Sequence, residues 1–389
     1  MNKRVRELKT YPMDRLNRAK EELRKRGIKI YDFGTGDPKE PTDEKIRRAL
    51  CEAVPEVSQY PTVKGKRELR EAISNWLKKR FGVDVDPERE VIPTAGSKEA
   101  IFHFPLVFVD TDSPKRKVIF GTPAYPVYER GTLFAGGEPF PVELKYEDGF
   151  LLRLDRVPKS VLEETAIVWI NYPHNPTGAT APLSYLEEVY GLCRENGIIL
   201  CSDECYTEIY FEEPPPSILQ VGKEGAVAFH SLSKRSGMTG YRSGFVAGDE
   251  KIVGDYLKYR SSFGVASPEF IQEAARVAWS SEEHVERRRK IFEEKARIFE
   301  EFFKEIGLEF LPPRATFYFW VRLPGGVSGE EYALHLLNYG IVISPGEFFG
   351  RGGEGFFRIA LVPTVEECRE AVKVWRRAHR EFRVENKGK

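Results

Sequence analysis

The chain has 389 residues, 41% of them hydrophobic, so it can bury a sizeable core and is long enough for two or three domains. Its 60 basic and 60 acidic residues cancel to a formal charge of +0, which argues against a global field for nucleic acid or anionic membranes. The five cysteines are odd in number and scattered, and the six histidines are dispersed, so we expect neither a disulfide framework nor a metal site.

The N-terminal segment, residues 1–27, is charged and helix-prone and lacks the apolar run of a signal peptide. Arg15 to Arg26 predicts a polar helix that Gly27 closes, and residues 28–33 predict a short strand. This strand leads into the Gly- and Pro-rich turn GTGDPKEPT. No stretch reaches the roughly 20 apolar residues of a membrane span, so we expect a cytoplasmic protein.

Strand-like and helix-like patterns alternate as far as about residue 270. Short, continuous apolar runs predict buried strands at 117–123, 166–173, 197–204 and 226–233. Helical patterns such as SYLEEVYGLCREN separate these runs. The alternation is typical of a parallel sheet covered by helices on both faces, and it predicts an α/β architecture.

Beyond Ser267 the pattern changes. A long charged helix is predicted from about Pro268 to Gly307, followed by strands in ATFYFWVRL, GIVISPG and FFRIAL between further helices. We therefore expect an N-terminal arm with the first part of a small domain in residues 1–43, a large domain in 44–275 and a small C-terminal domain in 276–389.

The segment SLSKRSGMTGYRSG places Lys234 after a predicted buried strand, at the edge where open α/β sheets bind their ligands. A desolvated lysine there can lose its proton and form imines with carbonyl compounds. Ser231, Ser233 and Arg242 offer hydroxyls and a guanidinium that suit a phosphate. Together these groups suit a phosphate-bearing aldehyde, whereas the segment alone also fits a Gly-rich surface loop.

Polar residues follow other predicted strands as well. Asp203 could pair with a protonated pyridine nitrogen or cap a helix, and Tyr206 would lie in the same cleft. Asn175 precedes a proline, which holds it extended and can aim its amide into the cleft. The Gly-Ser turn in TAGSKEA, residues 94–100, offers N–H groups to an anion or is an ordinary helix start.

In this order, the segments resemble the class I and II aminotransferases of the fold-type I superfamily, over nearly the whole chain. The resemblance implies pyridoxal 5'-phosphate as cofactor and a large domain with a mostly parallel seven-stranded sheet, beside a smaller α/β domain. It implies that Lys234 is the Schiff-base lysine and proton shuttle, Asp203 the pyridine partner, and Asn175 and Tyr206 the pair that bonds the phenolic oxygen. The other implied cofactor residues are Gly96, Ser97, Lys98, Tyr125, Ser231, Ser233, Arg242 and, from the partner subunit of a homodimer, Tyr60.

The resemblance also implies substrate contacts. Arg358, in FFRIAL, matches the arginine that grips the α-carboxylate, with Gly36 behind the carboxylate and Asn175 beside it. An arginine inside an apolar strand needs a partner, which favours this role over a surface salt bridge. Lys98 matches a lysine that meets a distal substrate carboxylate in some relatives, and a solvated lysine at a helix start is the alternative.

The expected activity is transfer of an amino group between an amino acid and 2-oxoglutarate or glutamate, with ping-pong kinetics. AGSKEAIFHFPLVF and ISPGEFFGRGGEGFFRIAL are similar to the N-succinyl-diaminopimelate aminotransferases of lysine biosynthesis. Enzymes for LL-diaminopimelate, aspartate or aromatic amino acids share most of these letters, and a pyridoxal-dependent lyase on the same fold is a further alternative. A non-catalytic regulator would carry a DNA-binding domain ahead of the fold, for which the preceding residues are too few.

Overall fold

A computed structural model of the protein describes Arg6 and residues 20–386, so the helix predicted from Arg15 lies partly outside the described residues. The strands are β1 (Tyr31–Asp32), β2 (Val91–Thr94), β3 (Lys117–Thr122), β4 (Glu138–Glu143), β5 (Thr165–Asn171), β6 (Ile199–Asp203), β7 (Ala226–Ser231), β8 (Gly244–Gly248), β9 (Glu309–Phe310), β10 (Tyr318–Arg322), β11 (Ile341–Val342), β12 (Ser344–Pro345) and β13 (Phe356–Ala360). The helices are α1 (Glu44–Glu52), α2 (Arg67–Phe81), α3 (Ser97–Phe108), α4 (Val127–Ala135), α5 (Lys159–Glu163), α6 (Leu183–Glu195), α7 (Leu232–Arg235), α8 (Glu250–Arg260), α9 (Glu269–Trp279), α10 (Glu283–Ile306), α11 (Gly329–Leu337) and α12 (Val365–Asn386).

The large sheet has seven strands in the order β2-β8-β7-β6-β5-β3-β4. Its strands run parallel except β8, which is antiparallel to both of its neighbours. The carboxyl ends of β2, β3, β5, β6 and β7 therefore meet at one edge, and the amino end of β8 joins them there. The prediction of an α/β fold with a mostly parallel seven-stranded sheet is confirmed.

Both faces of the central strands of this sheet are buried, as their continuous apolar sequences require. In β5, Val168 and Ile170 point into one hydrophobic cluster together with Trp76 of α2. Ile167 and Trp169 point into a second cluster on the other face. Because successive side chains of a strand alternate between faces, β5 packs against helices on both sides, which holds its carboxyl end in place.

A third hydrophobic cluster belongs to the C-terminal part of the chain. The antiparallel sheet β12-β13-β10-β9 packs against α10 and α12, whose aromatic residues include Phe299 and Trp375. Beside it, β1 pairs with β11 in parallel, so the N-terminal strand completes the C-terminal domain. Within the described residues, no helix is both long and apolar enough to cross a membrane.

The single long helix predicted from Pro268 to Gly307 is wrong, because the structure has two helices, α9 and α10, with a break between them. The Arg235 guanidinium occupies the break, where it donates to the Ala278 carbonyl at 2.7 Å and to the Ser281 carbonyl at 3.2 Å. It also pairs with Glu282 at 2.6 Å. A side chain from a distant segment thus ends α9, which helical periodicity cannot reveal.

The domain boundaries remain a proposal. The helix α9 runs past residue 275 and buries Trp279 in the core of the large sheet. Phe292 of α10, in contrast, lies in the core of the C-terminal sheets. We therefore propose that the division falls between α9 and α10 rather than at residue 275, with residues up to 43 completing the small domain as expected.

Candidate active site

The carboxyl edge of the large sheet opens into a cavity of about 790 Å³. Asn171, Asp203 and Ser231, the last residues of β5, β6 and β7, all lie at its wall. Most of the site residues predicted from the sequence meet here, namely Gly36, Ser97, Lys98, Tyr125, Asn175, Asp203, Tyr206, Ser231, Ser233, Lys234, Arg242 and Arg358.

Lys234 lies on the short helix α7, directly after β7. Its Nζ donates a hydrogen bond to the Gly36 carbonyl, which directs the amine across the cavity floor. Burial lowers the pKa of Lys234 from 10.5 to about 8, while Asp37 opposes this shift and Arg358 adds to it. A much larger share of this amine than of an ordinary lysine is therefore neutral near pH 7, as imine formation requires.

Asp203 is 4% exposed and is held on both oxygens. Its Oδ2 accepts a hydrogen bond from the Tyr128 hydroxyl at 2.7 Å, and its Oδ1 accepts one from the Cys205 backbone N–H at 3.3 Å. Burial raises the pKa of the Asp203 carboxyl, and these hydrogen bonds oppose the rise. A buried carboxylate in this position is stabilised by a positively charged partner such as a protonated ring nitrogen.

Tyr128 was not predicted as a site residue. It lies on α4, three residues after Tyr125, and the two rings meet edge to face with centroids 6.2 Å apart. Its ring also stacks on Trp169 at 5.4 Å. Tyr125 precedes this helix, and the hydrogen-bond partner Asp203 is 75 residues away along the chain, so no local spacing identifies Tyr128.

One end of the cavity collects groups that bind anions. Ser97 begins α3, whose N-terminal N–H groups and dipole favour negative charge. The Ser231 hydroxyl accepts from the Ser233 N–H at 3.1 Å, and Arg242 donates to the Thr239 carbonyl at 2.7 Å. A Cβ on Gly96 would lie 2.5 Å from Arg242 Nη2, so only glycine lets the guanidinium lie against this turn.

The opposite end of the cavity is built around Arg358, which is 6% exposed. Its Nη1 donates to Asn175 Oδ1 at 2.9 Å and its Nη2 to the Gly34 carbonyl at 2.7 Å. The guanidinium lies 4.4 Å from the ring centroid of Tyr318 and 4.6 Å from that of Phe349. The contacts with these two rings fix the plane of the guanidinium, which favours bidentate binding of a carboxylate.

Tyr318 and Phe349 escaped prediction because aromatic residues in apolar segments usually serve the core. Tyr318 also bonds the Tyr206 hydroxyl, with 2.9 Å between the two oxygens. A Cβ on Gly36 would approach Tyr318 Oη to 2.5 Å, so this glycine permits the close contact. Tyr206 is 8% exposed, and burial raises its pKa well above 10.

The outer part of the cavity is open. Lys98, Thr35 and Asp37 line it and are exposed. Lys98 Nζ lies 6.0 Å from the centroid of the Tyr125 ring. Tyr60 is fully exposed, 101%, and does not line this cavity, so its contribution to the site of a partner subunit stays a prediction.

These groups fit pyridoxal 5'-phosphate. The hydroxyls, helix terminus and Arg242 suit its phosphate, Asp203 its ring nitrogen, and the low-pKa amine of Lys234 its aldehyde. The buried Arg358 Nε has no hydrogen-bond partner within the described residues, which fits a donor set reserved for a ligand. In residues 20–386, no group of three or more His, Cys, Asp or Glu side chains is placed to hold a metal ion.

Comparisons with known proteins agree with this geometry. The family Aminotransferase class I and II matches residues 28–374. The LL-diaminopimelate aminotransferase of Aquifex aeolicus is 42% identical over 377 residues, covering 95% of this chain and 97% of that protein.

Solved structures give the same answer. A probable N-succinyldiaminopimelate aminotransferase from Thermus thermophilus is 34% identical and superposes with a TM-score of 0.87. The match covers 93% of this chain and 98% of the Thermus chain. A double mutant of Thermus thermophilus aspartate aminotransferase is 27% identical and superposes with a TM-score of 0.90. The match covers 97% of this chain and 99% of the mutant's chain. The protein therefore belongs to the class I and II aminotransferases, which depend on pyridoxal 5'-phosphate.

Proposed function

We propose that this aminotransferase transfers an amino group from LL-diaminopimelate to 2-oxoglutarate. The observation that carries the proposal is the 42% identity, over nearly the full length of both chains, to an LL-diaminopimelate aminotransferase. A second relative of that name, from Trichormus variabilis, is 38% identical over 379 residues. The free diamino acid thus takes precedence over the N-succinyl form expected first from the sequence.

The charges at the cavity rim support this choice. Lys98 and Asp37 carry opposite charges and line the same outer part of the cavity. The far end of LL-diaminopimelate carries both an ammonium and a carboxylate, which such a pair complements. The N-succinyl compound carries two carboxylates and no ammonium there, so Asp37 would repel it.

Arg358 is proposed to bind the α-carboxylate of every substrate. Asn175 Oδ1 and the Gly34 carbonyl each accept from one of its two terminal nitrogens, which fixes the orientation of the guanidinium. A bidentate carboxylate fixes the orientation of the substrate Cα relative to the cavity floor. Because Arg358 and Lys234 line the same cavity, we expect this orientation to turn the Cα–H bond toward Lys234.

Lys234 is proposed to move the proton of the reaction. The cofactor, when bound, supplies the aldehyde that takes up the amino group and a ring that accepts the electron pair left on Cα. Lys234 Nζ takes the proton from Cα as general base, which its lowered pKa of about 8 permits near neutral pH. Asp203, oriented by Tyr128, keeps the ring nitrogen protonated.

A panel of amino donors tests the substrate. LL-diaminopimelate, N-succinyl-LL-diaminopimelate, aspartate and phenylalanine are each assayed with 2-oxoglutarate, and we expect the highest kcat/KM with the first. A higher value for the succinylated compound would support the second candidate, which the 34% identity to the Thermus protein favours. Comparable values for all four would leave both diaminopimelate proposals without support.

Two rim variants sharpen the result. Asp37→Asn should lower kcat/KM for LL-diaminopimelate but not for aspartate, because only the former has a distal ammonium. Lys98→Met should raise the KM for 2-oxoglutarate but not for pyruvate, which has no distal carboxylate. If Asp37→Asn impairs LL-diaminopimelate and aspartate equally, Asp37 does not determine specificity. The same holds for Lys98 if Lys98→Met impairs 2-oxoglutarate and pyruvate equally.

Initial-rate kinetics test the order of events. Parallel lines in double-reciprocal plots are expected, because the first product leaves before 2-oxoglutarate binds. Formation of oxo acid and ammonia without any acceptor would instead indicate a lyase.

We also propose that the enzyme is a homodimer in which Tyr60 completes the partner's phosphate site. Val54, Val57 and Tyr60 are 56%, 72% and 101% exposed within one short segment, and such an apolar patch favours burial against a second copy. Mixing Tyr60→Ala with Lys234→Ala subunits should restore part of the activity, because one hybrid site then has both native residues. Absence of any recovery in verified mixed dimers would contradict the shared site.

A further inference from the structure

Three basic side chains are buried on one face of α10. His284, Arg288 and Lys295 are 4%, 5% and 0% exposed, and their spacing of four and seven residues places them along one stripe of the helix. Buried lysine and arginine are costly unless they meet partners. The partners of this stripe lie in the segments that form the two ends of the active site.

The first half of the stripe contacts the segment that carries Lys234. His284 Nε2 lies 2.7 Å from the Ser236 hydroxyl. The Arg288 guanidinium packs against Gly237, where a Cβ would approach Nη1 to 2.5 Å. The residues directly after the lysine thus rest on α10.

The second half contacts the segments that orient Arg358. Lys295 Nζ pairs with Glu40 Oε1 and donates to the Leu361 carbonyl at 3.1 Å. Glu40 lies in the loop that begins at Gly34, and Leu361 directly follows β13, the strand of Arg358. Lys295 therefore links the loop that carries Glu40 to the end of β13, and it does so outside the cavity.

The relative position of these two segments decides how Arg358 points. Arg358 lies on β13, whereas the carbonyl that accepts from its Nη2 belongs to Gly34 of the loop, 2.7 Å away. A shift of the loop against the strand would move this acceptor and rotate the guanidinium out of its bidentate direction.

We propose that Lys295, through Glu40, is a positioning residue for the substrate carboxylate. The inference rests on the proposed carboxylate role of Arg358 and adds the pair that keeps Arg358 and its acceptor in register. Neither Lys295 nor Glu40 lines the cavity, so they act without touching the substrate.

The test measures binding of propionate, a carboxylate without an amino group, to the holoenzyme by calorimetry. Lys295→Met and Glu40→Gln should each weaken binding about three- to tenfold, and the double variant should weaken it no more than the stronger single change, because the pair acts as one unit. Lys304→Met is the matched control, since Lys304 is exposed on the same helix and pairs with Glu300. We expect it to bind propionate like the wild type.

The outcomes separate this inference from the proposed function. Arg358→Lys should weaken propionate binding more than either positioning change; unchanged binding would overturn the carboxylate role and the inference with it. Weakened binding by Arg358→Lys together with native binding by Glu40→Gln would overturn the inference alone. If Lys295→Met does not fold, the Glu40→Gln result decides, because glutamine keeps the length and shape of the Glu40 side chain and removes only its charge.

Discussion

The inner wall and the outer rim of the cavity are built in different ways. The inner wall consists of buried side chains: Asp203 ends β6, Asn175 follows β5 and Arg358 lies within β13, at 4%, 8% and 6% exposure. The rim consists of exposed residues on a loop and a helix start, namely Asp37 and Lys98. Because buried groups interact at low dielectric and exposed ones are screened, the wall suits a reaction and the rim suits discrimination between substrates.

The largest effect that this comparison predicts lies at the wall. Lys234→Ala should retain the cofactor non-covalently and lose transamination by about 10⁴-fold or more, because the general base is gone. Single-turnover absorbance of the bound cofactor measures the loss. Lys98→Ala, at the rim, serves as the control and should keep most of the rate with alanine as donor, because alanine has no distal carboxylate for Lys98 to bind. Near-normal turnover by Lys234→Ala would refute the assignment of the wall.

Arg358→Lys should follow in size. Lysine keeps the charge but cannot bind a carboxylate in bidentate fashion, so kcat/KM should fall about 100-fold for every α-amino acid alike. Arg351→Lys is the matched control, since Arg351 is exposed and pairs with Glu143 outside the cavity. A fall in kcat/KM confined to one amino donor would contradict a general carboxylate-binding role for Arg358 and would indicate a role in substrate specificity.

Tyr128→Phe should have a smaller effect. Removal of the hydroxyl takes one hydrogen bond from the Asp203 carboxylate, which raises the pKa of Asp203 further and weakens its hold on the ring nitrogen. The dissociation constant of the cofactor should rise about tenfold, as expected for a hydrogen bond to a charged group. Tyr185→Phe removes a buried hydroxyl that donates to the Leu152 carbonyl instead, and it should leave cofactor affinity unchanged.

The smallest effect concerns Asp37 and pH. In cofactor-free protein, the rate of imine formation with added pyridoxal 5'-phosphate should rise with pH and level off above about pH 8, where the Lys234 amine is neutral. Asp37 stabilises the ammonium form, so Asp37→Asn should lower the pKa of Lys234 and shift this profile to lower pH. Exposure of Asp37 limits the change in rate at neutral pH to about twofold. A shift to higher pH would contradict the sign of this interaction.

The wall was largely predictable from the sequence, because parallel strands reach one edge and place the residues that follow them side by side. Lys234, Asp203 and Asn175 were found in this way. Tyr318 and Phe349 were not, since their aromatic rings sit in apolar segments where packing against the core is the ordinary role. Their contact with Arg358 depends on how β10 and the loop before β13 meet, which local patterns do not encode.

The fold, like the inner wall of the cavity, was predicted in part from the sequence. The strands at 117–122 and 226–231 lie within their predicted limits. The prediction of one continuous helix after Ser267 failed because Arg235, far away in sequence, binds the carbonyls at its break. Periodicity describes neighbours along the chain, whereas this helix end depends on a neighbour in space.

The antiparallel strand β8 has a practical consequence for changing the protein. The chain leaves the site edge at Ser231 and returns to it at Gly244, which pair directly, so one connection holds Lys234 and Arg242 between two fixed ends. An insertion in this connection would displace both residues at once. The turn at Glu224, exposed at the opposite edge before β7, is remote from the site and is the better position for an inserted tag.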